Sequence, residues 1–438
     1  MSPSTIDAGD DAWILASSVL VLGMIPGLAL FQAGLLRAKN SLSIVSQVFA
    51  GAAIASTLFF VIGYSLVFDT AGNAFIGTCR HCALERISLE VASAYSNHIS
   101  EAAHVLFQSM FASITPLLMT GAYAERLSFG ASLMLTALWS IFAYYPVARA
   151  IWGLPGWLRA WGVLDFAGGI VIHTTSGVGA LVVVWYVGSR LERGERASSI
   201  PLAAGGAALL WTGWMGFNGG SALSADGTAT RALLSSQIAA TVSTTVWLLT
   251  SWYLDGRPCT IAVLNGMVAG LAGVTPASGY IGFRSAFALG IVLGLVTLAG
   301  VKALEHQTVL DDALEVSVIH GLSGAVGSVA IGFLHPTQGL IAGAGFDLLG
   351  KQVVATVVAG VWAGGVTLAI LWVMRRTCFR EGGLRVSVVD ENMGLDICEH
   401  GQYAYHNLHT QHEEAPSAAF HSSTLARAAL AMAGTSIH

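Results

Sequence analysis

Val171-Ile172-His173-Thr174-Thr175-Ser176-Gly177 and Val318-Ile319-His320-Gly321-Leu322-Ser323-Gly324 are two versions of one phrase. In each, an aspartate stands eight residues before the histidine: Asp165 and Asp312. Both phrases lie inside long apolar stretches. A histidine in hydrocarbon is costly, so it marks a functional position by default. Two at matching places in a duplicated frame point to one shared site built by two halves.

The rest of the chain supplies that frame. Of 438 residues, 54% are hydrophobic and 10% charged, where a soluble domain carries roughly 25% charged residues. Mean hydropathy is +0.68. The class is an all-α polytopic membrane protein. The 51 glycines suit close helix contacts. The net charge of −5 is spread thinly and gives nucleic acid nothing to bind. The first eleven residues carry Asp7, Asp10 and Asp11 and no Lys or Arg. A signal peptide begins with a basic segment, so the first apolar stretch is expected to remain as a transmembrane helix.

Apolar windows long enough to span fall near 12–36, 44–68, 102–122, 128–148, 163–189, 201–222, 233–253, 260–277, 282–304, 313–335 and 352–374. They predict eleven transmembrane helices. With the N-terminus outside, thirteen Lys and Arg face the cytoplasm, including Arg37, Lys39, Arg126, Arg190, Arg193, Arg196, Arg385 and Arg427. Seven lie outside: Arg80, Arg86, Arg149, Arg159, Arg231, Arg284 and Lys351. The basic excess sets the orientation as N-out, C-in.

Helices 1–5 and 6–10 then form two halves, with helix 11 added. Five is odd, so the halves are inverted relative to each other. Eight residues at 1.5 Å rise is about 12 Å. If each aspartate lies near its own membrane face, both histidines reach about 12 Å into a core of about 30 Å. The spacing therefore predicts that His173 and His320 face each other near the midplane.

Neutral imidazole has one donor and one acceptor nitrogen, and its pKa lies near neutrality. Two in line can share a proton, or hydrogen-bond a small polar molecule in an otherwise dry pore. Core histidines bonded to carbonyls are the structural alternative. Asp165 and Asp312 sit where carboxylates cap exposed N–H groups. Capping is the preferred reading for Asp312. Asp165 divides between capping and attracting a cation to the outer mouth. Trp152, Trp214, Phe107, Phe111 and Phe217 are either interfacial anchors or pore aromatics whose faces attract a desolvating cation. Ser221 can accept an N–H bond from that cation.

Cys79 and Cys82 form a C-x-x-C around His81. A disulfide or two plain thiols is preferred over a metal, because zinc usually needs four ligands. Cys259, Cys378 and Cys398 read as unpaired. His406, His409 and His412 recur every third residue in a polar end, with metal binding a minor alternative. No cofactor is expected.

On these residues the chain resembles the ammonium transporter family (the Amt/Mep/Rh group), specifically its Amt branch. The matching phrases are Pro26 to Asn40, Gly121-Ala-Tyr-Ala-Glu-Arg126, Asp165-Phe-Ala-Gly-Gly169 with His173, Gly216-Phe-Asn-Gly-Gly-Ser221, Asp311-Asp312 with His320-Gly321, and Gly394-Leu-Asp-Ile-Cys-Glu-His-Gly401. They occur in family order over about residues 12–405. The resemblance implies eleven helices, a pore in each subunit and a homotrimer in the plasma (inner) membrane. It implies outer recruitment of ammonium at Trp152, Ser221, Asp165 and Trp214, and a gate of Phe111 and Phe217 with Phe107 beside it. It places the twin pore histidines at His173 and His320, and matches Asp165 to an essential aspartate. A PII-type signalling protein is an implied partner on the cytoplasmic face. The loop Gly153 to Gly162 is one residue longer than the family pattern, which bears on Trp152. The 69–101 loop and the end beyond Tyr405 fall outside that pattern.

The domain reading is therefore 1–11 as a short outer N-terminus, 12–376 as the transporter domain, 377–405 as a cytoplasmic regulatory tail and 406–438 as a disordered extension. The expected function is ammonium transport, with deprotonation near the gate and ammonia, with its proton, passing the histidines into the cytoplasm. The alternatives are an ammonium sensor, an Rh-type neutral gas channel and an intramembrane hydrolase. No fused signalling domain, no H-E-x-x-H and no convincing nucleophile motif favours the first or the last.

Overall fold

The computed structural model describes residues 6–194, 197–307, 309–380 and 383–405. Arg196, Arg427, the His406, His409 and His412 series and the 406–438 segment lie outside the described residues.

Among the described residues, eleven apolar helices form the body. They are α1 (Ala8–Leu35), α2 (Ala38–Phe68), α3 (Glu101–Tyr123), α4 (129–152), α5 (Gly169–Val187), α6 (Ile200–Gly220), α7 (Gly227–Asp255), α8 (Thr260–Val274), α9 (Phe283–Glu305), α10 (Ser317–Leu334) and α11 (Asp347–Arg376). Ten have membrane-spanning length, and α8 is a shorter apolar helix of 15 residues. Every helix expected from the apolar windows is present.

The starts of α5 and α10 lie later than the windows suggest, at 169 and 317 rather than 163 and 313. Gly168 explains the first delay: its φ of 117° is a left-handed conformation that only glycine adopts cheaply. Both helices begin with a π-turn, Gly169–Thr174 and Ser317–Leu322, and each contains its histidine. π-turns widen a helix and recur at functional positions.

Glycines set how closely the halves meet. A Cβ on Gly177 would lie 2.2 Å from the Gly321 Cα, so α5 and α10 cross backbone to backbone. The pair α1 and α6 is similar. A Cβ on Gly34 would lie 2.4 Å from Ala203 N, and one on Gly206 would lie 2.3 Å from Phe31 N. Such contacts draw helices together where lipid supplies no hydrophobic drive.

At the end of the bundle that carries Trp152, the 69–101 loop folds over the helices. Cys79 and Cys82 are disulfide-bonded, which resolves the alternatives left open by the sequence. Strands β1 (Ala92–Ser93) and β2 (Ser96–Ser100) pair antiparallel. The buried Arg149 guanidinium donates to the carbonyls of Val67, Asp69 and Asn73, which ties the loop to α4.

At the opposite end, a buried ionic network holds the interhelical loops. Asp311 pairs with Arg126 and Arg190, and Glu125 pairs with Arg37 and Arg190. Burial alone would raise the Asp311 pKa, but Arg190 and Arg126 outweigh it and hold the carboxyl at about 2. The tail segment docks on this end through α12 (Val388–Met393) and α13 (Leu395–His400). Asp396 accepts from Leu42 N and Ser43 N at the start of α2, and Glu399 accepts from Phe129 N at the start of α4. Burial pushes the Asp396 carboxyl up to about 6.

Candidate functional site

The site is a narrow apolar passage between the halves. Its lining includes Phe217, Trp214, His173, His320, Ile172, Ile319, Leu28, Phe31 and, toward the tail end, Gln32, Asn265 and Leu314. The space open to water-sized molecules is about 30 Å³, room for one or two of them.

Four aromatics close the Trp152 end. The Phe111 and Phe217 rings lie 4.3 Å apart, tilted by 33°. Trp152 stands edge-on to Phe111 at 5.8 Å, and Phe107 packs edge-on to Phe111 at 4.8 Å. Phe107, Phe111 and Phe217 are buried. Ser221 follows the last residue of α6, one turn beyond Phe217, and donates to the Phe217 carbonyl at 2.8 Å. Its oxygen keeps acceptor capacity toward the mouth.

Trp152 is the last residue of α4, and its Nε1 donates to the Asp165 carbonyl at 2.9 Å. One expected placement changes. Trp214 does not stand at the outer mouth with Trp152 and Ser221. It is two turns deeper on α6, its ring stacked 5.5 Å from His173 and 6.4 Å from His320, with Nε1 bonded to Thr275 Oγ1 at 2.9 Å. Ser221, Phe217 and Trp214 are spaced by four and three residues, so one face of α6 runs from mouth to histidines.

The histidines meet as the spacing predicts. His173 Nδ1 and His320 Nδ1 are 3.3 Å apart, with ring centroids 5.2 Å apart. A hydrogen bond between two Nδ1 atoms needs a proton on one and a lone pair on the other. In the neutral pair, the donor ring then has a bare Nε2 and the acceptor ring an Nε2–H. The pair thus presents one acceptor end and one donor end. His173 Nε2 has no hydrogen-bond partner among the described residues.

Asp165 is saturated. Its Oδ1 accepts from Gly168 N and Gly169 N at 2.9 and 2.7 Å, and its Oδ2 from Ile170 N and Val171 N at 2.9 and 3.0 Å. Asp312 accepts from Ser317 N at 2.7 Å through Oδ2, and its Oδ1 is buried without a hydrogen-bond partner among the described residues.

Thr275, Gln32 and Asn265 were missed in the sequence. The available signal was polarity: Asn265 is a lone carboxamide in the apolar run 260–277.

The aromatic cluster, the apolar passage and the paired imidazoles can now be set beside known proteins. The Ammonium Transporter Family model matches residues 12–405. The chain belongs to that family. Ammonium transporter 1 of Dictyostelium discoideum is 47% identical over 420 residues, 93% of this chain and 89% of that protein. Ammonium transporter Amt1 of Archaeoglobus fulgidus is 37% identical over 404 residues, 91% of this chain and 99% of that protein. The crystal structure of Saccharomyces cerevisiae Mep2 superimposes with a TM-score of 0.83 at 31% identity, covering 92% of each chain. The matched residues include the aromatic cluster, both histidines and the tail segment.

Proposed function

We propose that this member of the ammonium transporter family recruits ammonium at the Trp152 end and conducts ammonia, together with its proton, past His173 and His320. The observation that carries this reading is the Nδ1–Nδ1 contact of 3.3 Å inside an apolar passage.

The mechanism follows from solvation. Ammonium at the outer mouth meets the Trp152 and Phe111 rings and the Ser221 oxygen. An aromatic face gives about 2 kcal/mol or more once water is excluded. Beyond Phe111 and Phe217 the walls cannot hydrate a cation, and an isolated buried charge is lost as a proton rather than kept. Ammonia continues as a neutral molecule. The released proton enters the bare Nε2 at one end of the histidine pair. The Nδ1 proton shifts across, and another proton leaves from Nε2–H at the far end. One N–H bond breaks on ammonium and one forms on imidazole, so the charge crosses while the molecule crosses neutral. Potassium has no proton to surrender and is refused.

The Asp165 oxygens are occupied by four N–H groups. Its part is to fix the loop that presents Trp152 and to add negative potential near the mouth. The remaining assignments belong to the same reading: a homotrimer in the plasma membrane, N-terminus outside, residues 12–376 as the transporter domain and 377–405 as a cytoplasmic regulatory tail. A PII-type protein is the candidate partner there. This activity transfers no group to or from a substrate other than a proton, so the chain is read as a transporter and not an enzyme.

The test is charge movement in proteoliposomes after an ammonium jump, with potassium as control. A saturable current with ammonium alone is expected. Alkalinisation inside the liposomes without current would replace this reading with a neutral gas channel.

A further inference from the structure

The 69–101 loop has no role in the mechanism above, yet it packs against the segments that form the Trp152 mouth. The Tyr95 hydroxyl donates to the Phe68 carbonyl at 2.9 Å and accepts from Leu154 N at 3.1 Å. The Phe75 ring lies 6.4 Å from that of Trp157. Leu154 and Trp157 belong to the segment that follows Trp152. His81 is buried, with its ring edge-on to Tyr64 and its Nε2 3.9 Å from Glu101. Glu101 is the first residue of α3, the helix that carries Phe107 and Phe111.

Two observations single out the Cys79–Cys82 disulfide in this loop. It is not what ties the loop down. Arg149 already holds the carbonyls of Val67, Asp69 and Asn73. Ser65 Oγ donates to the Thr78 carbonyl and accepts from His81 N. A crosslink between cysteines three residues apart removes little chain entropy beyond that. The second observation is the strained chain that follows it. Ala83, Leu84 and Arg86 have φ of 54°, 59° and 64°, a left-handed region that a Cβ disfavours. Such residues persist only where their surroundings over-determine them. Here turn bonds run from Cys82 N to the Cys79 carbonyl, from Leu84 N to the His81 carbonyl and from Ile87 N to the Leu84 carbonyl. Leu84 and Ile87 pack on the core at the end of this run. The disulfide closes its first turn. Cys79 is exposed, so a small thiol can reach it.

We propose that Cys79–Cys82 is a thiol–disulfide exchange site for an external dithiol, and that its reduction relaxes the loop that props the Trp152 mouth. The effect on transport rests on the reading of Trp152 as the recruitment end. A thiolate of the dithiol attacks Cys79 Sγ, which forms a mixed disulfide and releases Cys82 as a thiolate. The second thiol of the reagent then displaces Cys79. Two electrons and two protons pass to the protein, and the reagent leaves as its own disulfide. Freed of its first turn, the left-handed run relaxes. Leu84 and Ile87 then loosen from the core, and the Tyr95 and Phe75 contacts hold the segment after Trp152 less firmly.

The experiment uses full-length protein in vesicles with the Trp152 end outward, before and after dithiothreitol. Alkylation followed by peptide mass spectrometry reads each cysteine, and ammonium jumps read the current. Reduction is expected to label Cys79 and Cys82 together. It should raise the half-saturating ammonium about threefold, a partial loss of the aromatic contact with the cation. Oxidised dithiothreitol should reverse both changes. A Cys79→Ser, Cys82→Ser double variant should start at the raised value and ignore dithiothreitol. Folded protein whose Cys79 and Cys82 stay unlabelled would overturn the exchange site. Full labelling with unchanged half-saturation, or a double variant that still responds, would overturn its coupling to the mouth. If the double variant fails to assemble, reversal in the wild type decides. Wild-type vesicles silent to ammonium before reduction would instead refute the transport reading, and the labelling would still decide the exchange site.

Discussion

Asp165 and Asp312 occupy equivalent places in the two halves, eight residues before their histidines, yet they are bonded differently. Asp165 accepts four backbone N–H bonds and has nothing left to offer. Asp312 accepts one at 2.7 Å and keeps an unpartnered buried oxygen. Around Asp165 the chain turns through Gly168 at φ 117° and closes on itself. The other copy turns through Glu315 at φ +58° and reaches out to Asn265. The same duplicated device therefore closes on its own backbone in one half and reaches across to a neighbouring helix in the other. Matching position in a repeat shows where the chain bends, and the free lone pairs show what each bend can do.

Substitutions should separate the two copies. The largest effect is expected from Asp165→Ala. Four buried N–H groups lose their acceptor, at about 1–3 kcal/mol for each unsatisfied group. A loss of about 4 kcal/mol or more would leave little folded protein, seen as aggregation on size-exclusion chromatography in detergent. Asp165→Asn should be milder but still destabilising, since an amide offers one acceptor oxygen. Asp312→Asn should cost about 1 kcal/mol or less, the scale of one cap, and leave the thermal midpoint nearly in place. Equal losses from Asp165→Asn and Asp312→Asn would break the comparison.

Gly177→Leu tests the meeting of the halves. A Cβ there falls 2.2 Å from Gly321 Cα, and overpacking of this kind costs about 1–3 kcal/mol. Because the contact lies one turn beyond His173, spreading the helices should weaken the imidazole contact. The ammonium current per assembled protein is expected to fall more than the melting temperature suggests.

The smallest effect concerns acid. Arg190 and Arg126 hold Asp311 at about 2 against the opposite push of burial. A lowered folded-state pKa adds stability that is full above the unfolded value near 4 and is lost as pH falls toward 2. The Asp311 network should therefore contribute a flat melting temperature from neutral pH down to about 4.5. Asp311→Asn should lower the midpoint at pH 7, and the gap to wild type should narrow below about pH 4 and close only near pH 2.

Much of this was legible in the sequence. Apolar windows revealed all eleven helices, because length and hydropathy are what a bilayer demands. The odd number of helices per half and the aspartate–histidine spacing placed the two histidines together. The π-turns were not legible, since a π-turn and an α-turn use the same apolar residues. Trp214 was set with the mouth because sequence adjacency to Phe217 hides depth along α6. The Cys79–Cys82 pair could not be distinguished from free thiols by spacing alone. Asn265 was overlooked because one polar residue scarcely alters an apolar window, although its placement opposite Glu315 gives it a clear partner.

The most direct measurement is the ammonium-driven current of a variant with both His173 and His320 replaced by leucine, reconstituted at the same density as wild type. The account predicts that the current disappears while the assembled protein remains, because no other titratable pair bridges the passage among the described residues. A double variant that carries undiminished, ammonium-selective current would contradict the proton relay.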